Sequence, residues 1–195
     1  MSRGPGDFSP QVLLSSLAGL PAHKNLLVGF SGGADSTALL LALHQLANEL
    51  ESSIEAVHFN HGLQDQAKDW QEFCQDFCRQ REIPLQVHRL ELTVKPGTSP
   101  ETMAREARYA VIRQLLTADD IYLTAHHADD QAETVLLNLL RGSGAAGLAG
   151  IPRLRRVSHG WMARPLLQIR RAALENWLKS QNVQWINDSS NLDHA

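Results

Sequence analysis

The chain has 195 residues, 43% of them hydrophobic, with 18 basic against 21 acidic side chains and a net charge of −3. That is a globular composition, able to bury the core of one domain or of one domain with a small appendage. The balance of charge excludes a chain-wide basic field, so any contact with nucleic acid must be local.

In chain order, the first 25 residues predict a short amphipathic helix with Val12, Leu13, Leu17 and Leu20 on one side, ending near Pro21. Short apolar or β-branched runs then follow at Leu26 to Phe30, Ile54 to Phe59, Leu85 to Leu90 and Ile121 to Ala125, the pattern of buried parallel strands. Helical patterns separate them at Ser36 to Leu50, Ala67 to Arg81, Pro100 to Leu116 and Ala128 to Leu140, the third with Ser99 as cap and Pro100 in its first turn. Beyond Arg141 come the glycine-rich stretch GSGAAGLAGIP, a basic stretch RLRR, a short run from Gly160 to Ala163 and a helix over Ile169 to Gln181. The end, WINDSSNLDHA, reads as unpacked, with DSSN a loop or cap awaiting a partner. Alternating β and α elements predict an α/β fold, a doubly wound and mostly parallel five-stranded sheet. Cys74 and Cys78, one turn apart on a helix with Trp70, Phe73 and Phe77, read as core thiols rather than a disulfide, consistent with a reducing compartment. No signal peptide and no membrane-spanning run is legible, so the cytoplasm and no membrane partner are expected.

The stretch LLVGFSGGADS, Leu26 to Ser36, places glycines where a strand hands over to a helix. Main-chain N–H groups and the positive end of the helix dipole converge there, which favours an anion. Ser31, Gly32, Gly33, Ala34, Asp35 and Ser36 form the candidate loop, with the hydroxyls of Ser31 and Ser36 able to donate to phosphate oxygens. Asp35 beside phosphates is repulsive unless a divalent cation such as Mg²⁺ lies between, so Asp35 is the candidate metal ligand. Neither the lysine of a Walker loop nor the third glycine of a dinucleotide fingerprint is present.

Further along, HFNHGLQ (58–64) follows the second strand and TAHHADDQAET (124–134) follows the fourth. His58 and His61 either shape a polar loop or contact a nucleotide or substrate. Asp129, Asp130 and Glu133 stand three and four apart at a helix start, where grouped carboxylates suit a cation, either an ammonium or Mg²⁺. Zinc is disfavoured because the spacing of His126 and His127 with these acids matches no common zinc pattern. Arg105 and Arg108, on ETMAREARYAVIR, either pair with Glu101 and other acids or face phosphate.

SGGADS resembles the loop of the PP-loop ATP pyrophosphatases, with a Rossmann-like fold similar to adenine nucleotide alpha hydrolases. HFNHGLQ, HHADDQAET and the E-x-x-A-R-x-x-R-Y pattern resemble the tRNA(Ile)-lysidine synthetases, with Gln64 where that family carries arginine. The resemblance implies a ligase that uses ATP and Mg²⁺ to adenylate the wobble cytidine of isoleucine tRNA and then attaches L-lysine. It implies pyrophosphate in the loop, catalytic roles for Asp35, Arg105, Asp130 and Glu133, and a homodimer as a compatible assembly. It divides the chain into a PP-loop nucleotide-binding catalytic domain over residues 1–150 and an extension over 151–195 leading toward tRNA-binding domains. A tRNA thiolase, an amidotransferase-type synthetase and a non-catalytic nucleotide-binding fragment are the alternatives. Local tRNA contacts are expected at Arg153, Arg155 and Arg156.

Overall fold

The apolar runs form strands β1 (Asn25–Gly29), β2 (Ser53–Asn60), β3 (Leu85–Arg89) and β4 (Asp120–Leu123), all parallel to their neighbours. β5 (Leu154–Val157) and β6 (Gly160–Ala163) make an antiparallel hairpin whose second strand joins β4 in parallel, giving the order β3-β2-β1-β4-β6-β5. Helices α1 (Pro10–Leu17), α2 (Ala34–Gln45), α3 (Ala67–Arg79), α4 (Pro100–Leu115), α5 (Ala128–Leu140) and α6 (Arg171–Ser180) connect or cover them. This computed structural model describes residues 7–60, 67–90, 97–142 and 148–187.

The sheet is doubly wound as expected, with six strands rather than five. The additional strand, β5, lies in the basic stretch: at the sheet edge Arg155 and Arg156 are exposed, so no apolar run betrays it. β5, β6 and α6 share the sheet and core of the preceding elements.

Alternate residues of β1 enter opposite cores, as a strand covered on both faces requires. Leu26, Val28 and Phe30 pack with residues of α1, α2, α3 and α6, while Leu27 packs with Val57, Phe59, Tyr122 and the Ile112 of α4. Strand progression reverses after β3, which sends α4 to the face opposite α2 and α3. α2 is buried almost all round, at Ala34 and residues 36–43, because α1 and α6 cover the side turned away from the sheet. α5 differs: none of its residues is buried, and Leu136, Leu137, Leu139 and Leu140 are exposed.

The sequence predicts an unpacked end after α6, and the structure corrects this for residues 185–187. The Ile186 N–H donates to the Gly32 carbonyl at 2.9 Å, and Ile186 forms a parallel bridge with Gly33. Most of NDSSN lies outside the described residues. The loops after β1 and β4 therefore meet at the carboxyl edge of the sheet, at the point where the strand order reverses and open α/β sheets bind ligands.

Candidate active site

The loop after β1 is knitted by its own hydroxyls. Ser36 Oγ accepts from the Ser31 N–H at 3.2 Å, donates to the Gly33 carbonyl at 3.1 Å and meets Ser31 Oγ at 3.1 Å. Ser36 is buried, so in this arrangement it braces the loop, and Ser31 is the exposed hydroxyl. Gly32 has φ +86°, a left-handed conformation that glycine adopts without penalty. Gly33 is the N-cap of α2 and no side chain caps that helix, so its first N–H groups are left for a ligand. His58, buried behind the loop, bonds the Phe30 carbonyl through Nδ1 at 2.8 Å, and burial holds its pKa below 6.5. Of the two readings of His58, this geometry matches the shaping of a loop; His61 and Gln64 lie outside the described residues.

His127 joins this loop to the helix that follows β4. Its Nδ1 accepts from the Asp130 N–H at 3.4 Å, while Asp130 Oδ2 accepts the His127 N–H at 2.8 Å, a reciprocal cap at the start of α5. With Nδ1 an acceptor, the ring proton sits on Nε2, which faces Asp35 Oδ2 at 3.6 Å. Burial pulls the His127 pKa down, but the Asp35 carboxylate, reinforced by Asp130 and Asp129, outweighs it and raises the pKa above 6.5. Asp35 Oδ1 is buried without a hydrogen-bond partner among the described residues. Such an oxygen is costly to leave unpaired, and it is suited to a cation.

The three carboxylates of DDQAET have separate positions. Asp129 Oδ2 accepts the Arg171 N–H at 2.8 Å and so caps α6, and Asp130 caps its own helix. Glu133 is exposed one turn further on in α5, its side chain with no hydrogen bond or ion pair among the described residues. Gln131 clamps the exit of the glycine-rich connector through the Ile151 N–H at 2.6 Å and the Ile151 carbonyl at 3.3 Å.

Arg105 is exposed, with its guanidinium 5.4 Å from the centroid of Tyr109. The Glu101 side chain proposed as its partner lies outside the described residues. Burial lowers the pKa of His126, with the Arg164 and Arg105 charges adding to it and Asp130 opposing. Arg164, 4% exposed, donates to the Pro152 carbonyl at 2.7 Å and to Met162 Sδ at 3.2 Å. His127, Arg164 and Ile186 are the residues that the sequence reading did not assign to the site. Arg164 directly follows β6 and His127 lies in the short turn from β4 to α5, positions at the carboxyl ends of parallel strands that could have flagged both; Ile186 carries no such signal.

A glycine loop that caps a helix without a lysine is joined through His127 to carboxylates at the start of α5, making one polar cluster at the carboxyl edge of an α/β sheet. Residues 10–195 match the model of the PP-loop domain, and the chain belongs to this family of ATP-binding domains. It is 41% identical over 186 residues to a tRNA(Ile)-lysidine synthase of Coxiella burnetii, covering 95% of this chain and 41% of that protein. It is 46% identical over 179 residues to a tRNA(Ile)-lysidine synthase of Chromobacterium violaceum, covering 91% and 40%. The chain thus spans about two fifths of the length of the curated relatives it matches. The U34-tRNA thiolase NcsA from Methanococcus maripaludis, solved with its [4Fe-4S] cluster, shares the fold at a TM-score of 0.74 and 18% identity, over 91% of this chain and 64% of that one.

Proposed function

We propose that this chain is the ATP-cleaving portion of a ligase that joins L-lysine to C2 of the wobble cytidine in the isoleucine tRNA with a CAU anticodon, forming lysidine. The observation that carries the reading is the Asp35–His127–Asp130 contact, which makes one polar site of the phosphate loop and the acceptor-side carboxylates. The likeness to the lysidine synthases over nine-tenths of this chain supports the substrate.

In this reading the C2 oxygen of the cytidine attacks the α-phosphate of ATP, and pyrophosphate leaves into the loop from Ser31 to Ser36. The lysine ε-amine then attacks C2 and AMP departs. The loop N–H groups and the α2 N-terminus hold the leaving phosphates, and Arg105 offsets negative charge on the reacting phosphate. Asp130 and Glu133 bind the lysine ammonium, and a carboxylate takes its proton when the amine becomes the nucleophile. Among the described residues no three His, Cys, Asp or Glu side chains form a metal cage. Mg²⁺ requires none, because one or two carboxylates, waters and phosphates complete its shell. The unpartnered Asp35 Oδ1 fits that role, and Mg²⁺ there supplies charge neutralisation for the phosphates. A cytoplasmic setting and a homodimer belong to the same reading. Among the described residues no helix is long and apolar enough to cross a membrane.

A thiolase reading gains no support from the two cysteines of this chain. Both are buried, and burial pushes both thiols up, Cys78 to about 11, away from the reactive thiolate. The discriminating experiment incubates the chain with ATP, Mg²⁺ and a transcript of that tRNA, with and without lysine, and follows pyrophosphate and AMP. Pyrophosphate release that needs RNA and AMP release that needs lysine are expected. AMP release indifferent to lysine, or no turnover at saturating RNA, contradicts the proposal.

A further inference from the structure

We infer that Ile186 is a positioning residue for the phosphate loop: its main-chain N–H fixes the Gly32–Gly33 peptide so that the Gly33 N–H faces the bound anion. The inference rests on the reading that this loop holds pyrophosphate.

The Gly32 carbonyl accepts two hydrogen bonds, from the Ile186 N–H at 2.9 Å and from Thr37 Oγ1 at 3.1 Å. These use both of its lone pairs and fix its direction. The peptide is trans, so the N–H of Gly33 points opposite to that carbonyl. Turning the carbonyl inward turns the N–H outward, where its partner is the Ser31 hydroxyl at a long 3.4 Å on the exposed side of the loop. A weakly engaged N–H at a helix N-cap is the donor an arriving phosphate can take over.

The side chain of Ile186 adds a second restraint. A Cβ placed on Gly32 would lie 2.5 Å from Ile186 Cδ1, 3.1 Å from Phe73 Cδ1 and 3.2 Å from Cys74 Sγ. Gly32 is therefore enclosed between α3 on one side and Ile186 on the other, and a side chain at this left-handed position would be strained. Thr37 alone holds the carbonyl from within α2. Ile186 ties it to a segment about 150 residues away in sequence, which links the geometry of the loop to the docking of residues 185–187.

The test uses inorganic pyrophosphate with Mg²⁺ as the probe, measured by calorimetry on the whole chain. Ile186→Pro removes the N–H and should weaken pyrophosphate binding about tenfold or more, while Ile186→Ala keeps the N–H and should lose about threefold or less. Affinity for I186P within twofold of the parent overturns the inference alone; a parent chain that binds no pyrophosphate overturns the loop reading and the inference with it. Because I186P can also disturb folding, amide exchange in the parent provides a second measurement. Linkage requires pyrophosphate to slow exchange of the Ile186 N–H more than that of Val183, whose N–H bonds the Leu178 carbonyl on the same segment. Equal protection of the two amides overturns the proposal.

Discussion

Asp35 has one carboxylate oxygen facing His127 at 3.6 Å and the other buried without a partner among the described residues, an arrangement that costs stability unless a cation completes it. Asp35→Ala should therefore leave the fold intact and lower pyrophosphate release by about a hundredfold or more. Release near the parent rate would remove Asp35 from the site. His58 makes a different kind of contribution. Its pKa in the fold lies below 6.5 because burial disfavours the imidazolium, so below pH 6.5 the unfolded chain binds more protons than the folded one. The contribution is complete above 6.5 and is lost as pH falls through the depressed folded value. In urea denaturation, His58→Gln should show a shallower loss of stability than the parent as pH falls below 6.5. Parallel curves would contradict this assignment. The glycine loop was legible because its residue types declare their chemistry, whereas the roles of Asp129, Asp130 and Gln131 were not. Their partners, Arg171, the His127 backbone and Ile151, are set by tertiary packing rather than by spacing.

At the scale of elements, helix and strand positions followed from periodicity, since the buried runs of β1, β2 and β4 leave no alternative face for their apolar side chains. β5 escaped because an edge strand needs few apolar side chains, and its buried Val157 gives no pattern alone. The helix start at Ala128 was legible, but a histidine as its reciprocal cap was not, because serine, threonine, aspartate and asparagine dominate that position. α2 carries the loop, so its burial makes the site rigid. Leu39 is fully buried within it, and Leu39→Ala should cost about 3 kcal/mol in equilibrium unfolding. A loss below about 1 kcal/mol would mean that the neighbouring helices close the cavity.

Across the whole molecule, the site gathers the turn after β1, the start of α5, the residue after β6 and the segment after α6. That assembly was invisible to sequence spacing because it depends on the sheet order. The basic stretch also changes meaning in three dimensions. Arg153 donates to the carbonyls of Ser16 at 2.6 Å and Ala18 at 2.8 Å at the end of α1, and Arg156 lies 5.0 Å from the centroid of Trp161, so Arg155 is the arginine of this stretch with no such engagement among the described residues. With a net charge of −3, binding of tRNA by this chain should be weak and should fall steeply with salt. Arg155→Ala should flatten the log–log salt slope by about 0.7 to 0.9 if that side chain neutralises one phosphate, and an unchanged slope would place the RNA elsewhere. The most direct measurement of the central claim incubates the chain with the isoleucine tRNA transcript and ATP labelled at the α-phosphate, then adds lysine. Label should accumulate on the RNA without lysine and be discharged as AMP when lysine arrives, more slowly in Glu133→Gln. Failure to label the RNA, or discharge that ignores lysine, would contradict it.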